Sequence, residues 1–185
     1  MKFRATFIVL CLIACVIFIS SCSSLGPVYQ KADPPAKKAV IYIYRQTRYV
    51  GISIRYSVWD ITNSIVKHKA SIVYDKGKEH ARVDNFWGAL EDGKKLAVML
   101  NGSYYAYTVN PGTYYFIVES FTGGSALPMG ATDFIAKVDA KVGGRYFLFT
   151  TVGPFSSGRP IIEPRTVTQG EQEIADCNLV PVVKE

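Results

Sequence analysis

The chain has 185 residues, 49% of them apolar, with four cysteines and a formal charge of +6. That length fits one domain, whose core would bury about two-thirds of the surface exposed by the unfolded chain. The basic excess is mild and contains no dense Lys/Arg run, so nothing points to a nucleic-acid partner.

Lys2 and Arg4 precede an almost unbroken apolar run from Ala5 to Ile19, then Ser20, Ser21 and Cys22. Spanning a bilayer takes roughly 20 apolar residues, so residues 1–21 read as a secretory signal segment rather than a transmembrane helix. Ile19-Ser20-Ser21-Cys22 resembles the lipobox of bacterial lipoproteins, an aliphatic residue and two small ones before an obligatory cysteine. The resemblance implies a diacylglyceryl thioether on Cys22, cleavage before it, and acylation of the freed amine. Two or more chains give stable attachment to a membrane where one is marginal. The competing readings are an ordinary signal peptide with an incidental cysteine, or an uncleaved anchor. Cys11 and Cys15 leave with the signal, which makes Cys177 the one free thiol expected in the mature chain. It can form neither an intramolecular disulfide nor a cysteine-based metal site.

Residues 22–38 contain Gly26-Pro27 and Pro34-Pro35 and read as a lipidated, flexible tether. The domain is expected over 39–185. Ala39–Tyr44 is rich in β-branched and aromatic residues and reads as a strand. Val50–Trp59 alternates, with Ile52, Ile54, Tyr56 and Val58 on one face. Ser71–Tyr74 and Phe86–Leu90 are shorter strand candidates. Asp92-Gly93 before Lys95–Leu100 gives a hairpin signal. Ser103–Val109 and Thr113–Glu119 flank Asn110-Pro111-Gly112, a type II turn pattern in which proline presets φ and glycine supplies a positive one. Further strands are expected over Ala131–Val138 and Arg145–Thr151, and residues 121–130 read as a loop. A short helix is expected over Val167–Asp176. Short strands with frequent turns and one terminal helix predict an all-β fold, an antiparallel β-sandwich.

Several of these segments, in this order, resemble a family of small bacterial lipoproteins of unknown function. The residues that carry the likeness are Tyr42-Ile43-Tyr44-Arg45, Gly51 to Tyr56, Asn101-Gly102-Ser103-Tyr104, Val109-Asn110-Pro111-Gly112-Thr113-Tyr114 with Glu119, and Gly143-Gly144-Arg145-Tyr146-Phe147. The likeness spans about residues 37 to 180 and implies a transthyretin-like sandwich, with no activity attached. The chain departs from that pattern by an insertion over about residues 62–85, expected as an extra hairpin or a long loop. Such insertions often carry function and often are merely tolerated.

The chemistry-bearing residues are sparse. His68 and His80 lie among charged residues of the insertion, and Glu79, His80 and Asp84 make a poor metal set. No nucleophile elbow, zinc-protease helix, P-loop or dinucleotide fingerprint occurs. The expectation is therefore no enzyme, no cofactor and no metal. The alternative is a small periplasmic hydrolase or metal-dependent enzyme built on the insertion. Tyr104, Tyr105, Tyr107, Tyr114 and Tyr115 crowd what reads as a single hairpin about the Pro-Gly turn, where alternation puts Tyr105 and Tyr107 on one face and Tyr104 on the other. They read either as sheet packing or as an aromatic binding strip. Arg45, Arg48 and Arg55 read either as a solvated face or as support for an acidic partner or lipid headgroups. The candidate binding surface is thus Tyr105, Tyr107, Tyr115, Arg45 and Arg48. The expected partners are a membrane through the lipid and an envelope protein or the cell wall. Ser23, where an inner-membrane retention signal would place Asp, favours the periplasmic face of the outer membrane.

Overall fold

The computed structural model describes residues 25–48, 54–74, 81–121, 135–152 and 160–180. Cys22 and the signal segment, Val50–Ser53, Glu79, His80 and residues 122–134 lie outside the described residues. In chain order the strands are β1 (Ala39–Arg45), β2 (Arg55–Asp60), β3 (Ile72–Tyr74), β4 (Ala81–Val83), β5 (Lys94–Met99), β6 (Ser103–Val109), β7 (Gly112–Phe121), β8 (Ala136–Ala140), β9 (Arg145–Val152), β10 (Pro160–Arg165) and β11 (Asn178–Leu179). Among the described residues three short helices, α1 (Thr62–Val66), α2 (Phe86–Glu91) and α3 (Val167–Ile174), complete the set. The fold is mostly β, as expected, in two main sheets: β10-β9-β1-β6-β11 and β5-β2-β7-β8, with β3-β4 as a separate hairpin.

Alternation builds the layers. Ile41 and Ile43 of β1, Tyr105 and Val109 of β6, and Leu148 of β9 face one way and meet Tyr56, Val58, Leu96, Met99, Phe116, Val118 and Val138 of the other sheet. The opposite side of the five-stranded sheet is also covered. Tyr42, Tyr44, Tyr104, Phe147 and Phe149 pack there against Ile174 and Cys177, at the end of α3. This explains why β1 is buried along its whole length and reads as an unbroken apolar run.

The expected antiparallel pairing needs correction. β1 pairs antiparallel with β6 but parallel with β9, and β11 pairs parallel with β6, so this sheet is mixed. The Asn110-Pro111-Gly112 turn is not a hairpin either. β6 lies in one sheet and β7 in the other, and the turn arches between them. Phe86–Leu90, expected as a strand, is helix α2. The Asn85 side chain caps it by accepting from the Gly88 N–H at 3.0 Å, and Phe86 and Ala89, three apart, share its buried face. Asp92-Gly93 therefore ends a helix instead of turning a hairpin.

The insertion does contain the β3-β4 hairpin, with α1 ahead of it and α2 after it. Ile61, Ala70, Val83, Phe86 and Ala89 form a small core of their own against Ile117 of β7. Asp84 closes the hairpin base by accepting from the Ser71 N–H at 2.6 Å. That bond, the first of several, holds the Asp84 carboxyl below its ordinary pKa.

The flexible tether also needs correction. Leu25 to Tyr29 lies along β11, with Val28 bridged to Asn178, Gly26 N–H donating to Leu179 O at 2.7 Å and Tyr29 N–H to Cys177 O at 2.9 Å. The Tyr29 ring meets Tyr42 and Tyr104 edge-on, at 5.3 and 5.7 Å between centroids. Backbone pairing and an aromatic slot outweigh the loop signal of Gly26-Pro27 here.

Candidate interaction surface

The tyrosines form a layer inside the fold. Tyr105 is 8% exposed and stacks on Tyr107 at 6.3 Å, and Tyr107 meets Tyr114 and Phe116 edge-on across the two sheets. Tyr104 points to the opposite side, as the alternation requires. Tyr107 is half-buried, and its hydroxyl donates to Asp60 Oδ2 at 3.2 Å. Burial and then the Asp60 charge raise the pKa of that hydroxyl well above the usual phenol range.

Asp60 itself is 8% exposed. Its Oδ1 accepts from the Thr62 N–H at 3.0 Å and from the Thr62 hydroxyl at 2.5 Å, while Thr62 Oγ1 accepts from the Tyr115 N–H at 3.1 Å. The Tyr115 ring packs on the insertion core. Tyr107 and Tyr115 thus fasten the insertion to the sandwich, and Tyr105 belongs to the main core. The candidate aromatic strip is not a shared exposed surface.

The two arginines part company. Arg45 is 3% exposed, lies 4.4 Å over the Tyr56 ring and donates to the Ile54 carbonyl. Arg48 is exposed, 5.4 Å over the Phe149 ring, and its N–H donates to Asn101 Oδ1 at 3.1 Å. Of the five residues proposed for binding, only Arg48 has the exposure that the role needs. His68 is exposed in the turn after α1, with φ of 57°. Among the described residues no group of three or more His, Cys, Asp or Glu is close enough to hold a metal.

After the end of β1 the chain forms a cleft of about 200 Å³, lined by Gln46 and Thr47 and by Glu173, Asp176 and Cys177 at the end of α3. Its floor is tied down. The Tyr44 hydroxyl donates to Glu173 Oε2 at 2.5 Å and Gln169 Nε2 donates to Oε1 at 2.8 Å. Arg165, 4.7 Å over Phe149, pairs with Glu163 at 2.7 Å and reaches Glu173 at 3.5 Å. Burial, with Glu173 next, raises the pKa of the Tyr44 hydroxyl far above its ordinary value. The cleft offers carboxylates, an amide and a hydroxyl, which suits recognition of a polar ligand or chain segment.

It does not offer an activated nucleophile. Cys177 is 2% exposed and donates through Sγ to the Arg45 carbonyl at 3.5 Å. Burial, then the Asp176 charge, push its thiol up to about 12. The thiolate is the reactive form, so the native thiol is expected to resist aromatic disulfide reagents at pH 8 and to react fully once the chain is unfolded in urea. Fast labelling of the native protein would contradict the burial. The folded pKa is raised, so stability gained by burying the neutral thiol is complete below the unfolded value of about 8.5 and is lost as pH rises toward the folded value. Titration of the urea midpoint should fall across that alkaline window.

No signal in the linear sequence announces this cleft, because its two walls lie some 130 residues apart and neither carries a motif. Comparison with known proteins adds no further guide: no family model, no curated protein and no solved structure matches this chain.

Proposed function

We propose that this chain is an envelope lipoprotein, anchored through acylated Cys22 and presenting a non-enzymatic, transthyretin-like β-sandwich as an interaction module. The observation that carries the proposal is the run from Lys2 and Arg4 through the apolar segment to Ile19-Ser20-Ser21-Cys22. Ser23 favours the periplasmic face of the outer membrane. The binding role is supported by the open polar cleft at Gln46, Thr47, Glu173 and Asp176, with exposed Arg48 following Thr47 in the chain. The non-enzymatic reading is supported by the buried, protonated state of Cys177 and the exposed position of His68. Two sheets sharing one core support the sandwich, although its mixed pairing departs from an all-antiparallel design. The partner is an envelope protein or the cell wall.

Photocrosslinking in intact cells tests this reading. A photoreactive residue at Thr47 or Asp176 should give a discrete adduct, while one at Asp139, exposed on β8, should not. Adducts at neither site, or equally at all three, would remove the cleft as the interaction surface. Separately, Cys22→Ala is expected to shift the protein out of the membrane fraction.

A further inference from the structure

The Leu25–Tyr29 strap sets the direction in which the chain leads back toward the anchor. It runs antiparallel to β11, and β11 runs parallel to β6. Followed backward from Tyr29 to Leu25, the chain therefore travels the way β6 travels, toward Val109. The strap is held closely: a Cβ on Gly26 would lie 3.0 Å from Leu179 Cβ, and Leu25 packs against the main core. Cys22 is three residues ahead of Leu25. Leu25 is level with the middle of β6, and three residues, which span at most about 10–11 Å, are long enough to bring an acylated Cys22 to the Val109 end if the chain keeps the direction of the strap.

The same end is built as one platform. It carries the Asn110–Gly112 arch, the Lys141–Gly144 turn between β8 and β9, and Lys37-Lys38 leading into β1. The Gly143 N–H donates to Lys38 O at 2.8 Å, and Lys38 Nζ donates to Asn110 Oδ1 at 2.5 Å, which laces the three together. Val142 stands at the turn tip, 63% exposed, next to exposed Lys141, and Lys37 and Lys94 are exposed at this end too. Asp139, bridged to Lys137 at 3.1 Å, is an acidic neighbour. An exposed apolar tip among lysines is suited to the headgroup layer of an anionic membrane.

We infer that the end of the sandwich carrying Lys37, Lys38, Lys141 and Val142 lies against the lipid surface, held there by the docked strap. The inference rests on the lipoprotein reading. It also sets the cleft by Gln46 and Thr47, at the opposite end of β1, away from the bilayer and toward any partner.

The test uses the full acylated protein in anionic vesicles that contain nitroxide-headgroup lipids. A fluorophore is attached at Val142→Cys or, in a separate protein, at Arg55→Cys, which is exposed at the far end of β2. Cys177 is too buried to compete for label. The Val142→Cys label should lose most of its emission and the Arg55→Cys label should keep it. A Gly/Ser linker of twenty residues between Ser24 and Leu25 should erase the contrast by lengthening the leash. Equal or reversed quenching on a protein shown by mass to be acylated at Cys22 would overturn the orientation alone. A protein without acyl chains at Cys22 would overturn both the orientation and the reading beneath it.

Discussion

Asp60→Ala is expected to lower the folding free energy by about 3–5 kcal/mol, because hydrogen bonds to charged groups are worth about 1.5–3 kcal/mol each and stranded buried partners add their own cost. The carboxylate accepts three bonds: two from Thr62 and one from the Tyr107 hydroxyl. Removing it strands a half-buried phenol between the sheets and frees the start of α1. Thr62 in turn holds the β7 backbone at Tyr115, so the loss should spread into the insertion core. Asp60→Asn keeps the shape and part of the bonding and should cost less. Urea unfolding of the two variants measures the difference. A loss below about 1 kcal/mol for the alanine variant, the value of an ordinary neutral hydrogen bond, would show that these contacts are not what fastens the insertion.

Gly170→Val should destabilise the domain by about 3 kcal/mol, the upper part of the usual range for overpacking a core. Helix propensity argues the other way, since glycine is the poorer helix former by less than about 1 kcal/mol. Geometry decides the sign. A Cβ on Gly170 would sit 2.2 Å from Phe147 Cγ and 2.4 Å from its Cβ. Phe147 is fully buried and stacked on Tyr42 at 5.1 Å, so it has nowhere to go. Helix α3 must lift away from β9, opening the cluster that holds Tyr44, Phe149 and Cys177. The near-ultraviolet circular dichroism should weaken and the native Cys177 thiol should become reactive. An unchanged or raised melting temperature would contradict this close approach.

The parts of the fold that were legible in the sequence are those set by local pattern. β1, β5, β6, β7 and β9 fall where β-branched and aromatic runs predict them, and α3 begins just after its cap Thr166, whose side chain accepts from the Gln169 N–H at 3.3 Å. What the sequence hid was non-local. An Asn-Pro-Gly turn has the same chemistry whether it closes a hairpin or arches between sheets, and the arch is decided by β6 pairing with β1 and β11 while β7 pairs with β2 and β8. Local pattern hides β10, because Pro160 and Pro164 argue against a strand, yet it is the sheet edge, where proline is tolerated. Helix α2 was readable: Asn85 as cap with Phe86, Ala89 and Leu90 at helical spacing is a helix pattern that a short apolar run disguised as a strand.

The site was less legible than the fold. Tyr105, Tyr107 and Tyr115 stand close together in the sequence, but alternation alone does not say which face meets a second sheet. Arg45 looks solvated in the sequence and is buried over Tyr56, since the end of β1 still lies under neighbouring strands. Arg48, three residues on, clears the sheet and is exposed.

The central claim, that this domain works as a membrane-anchored lipoprotein, is tested most directly by the intact mass and N-terminal sequence of the mature protein extracted from membranes. The expected result is a chain beginning at Cys22 and heavier than its amino-acid sequence by a diacylglyceryl group and an amide-linked acyl chain. A mature chain that begins elsewhere, or one that starts at Cys22 with an unmodified thiol, would contradict it.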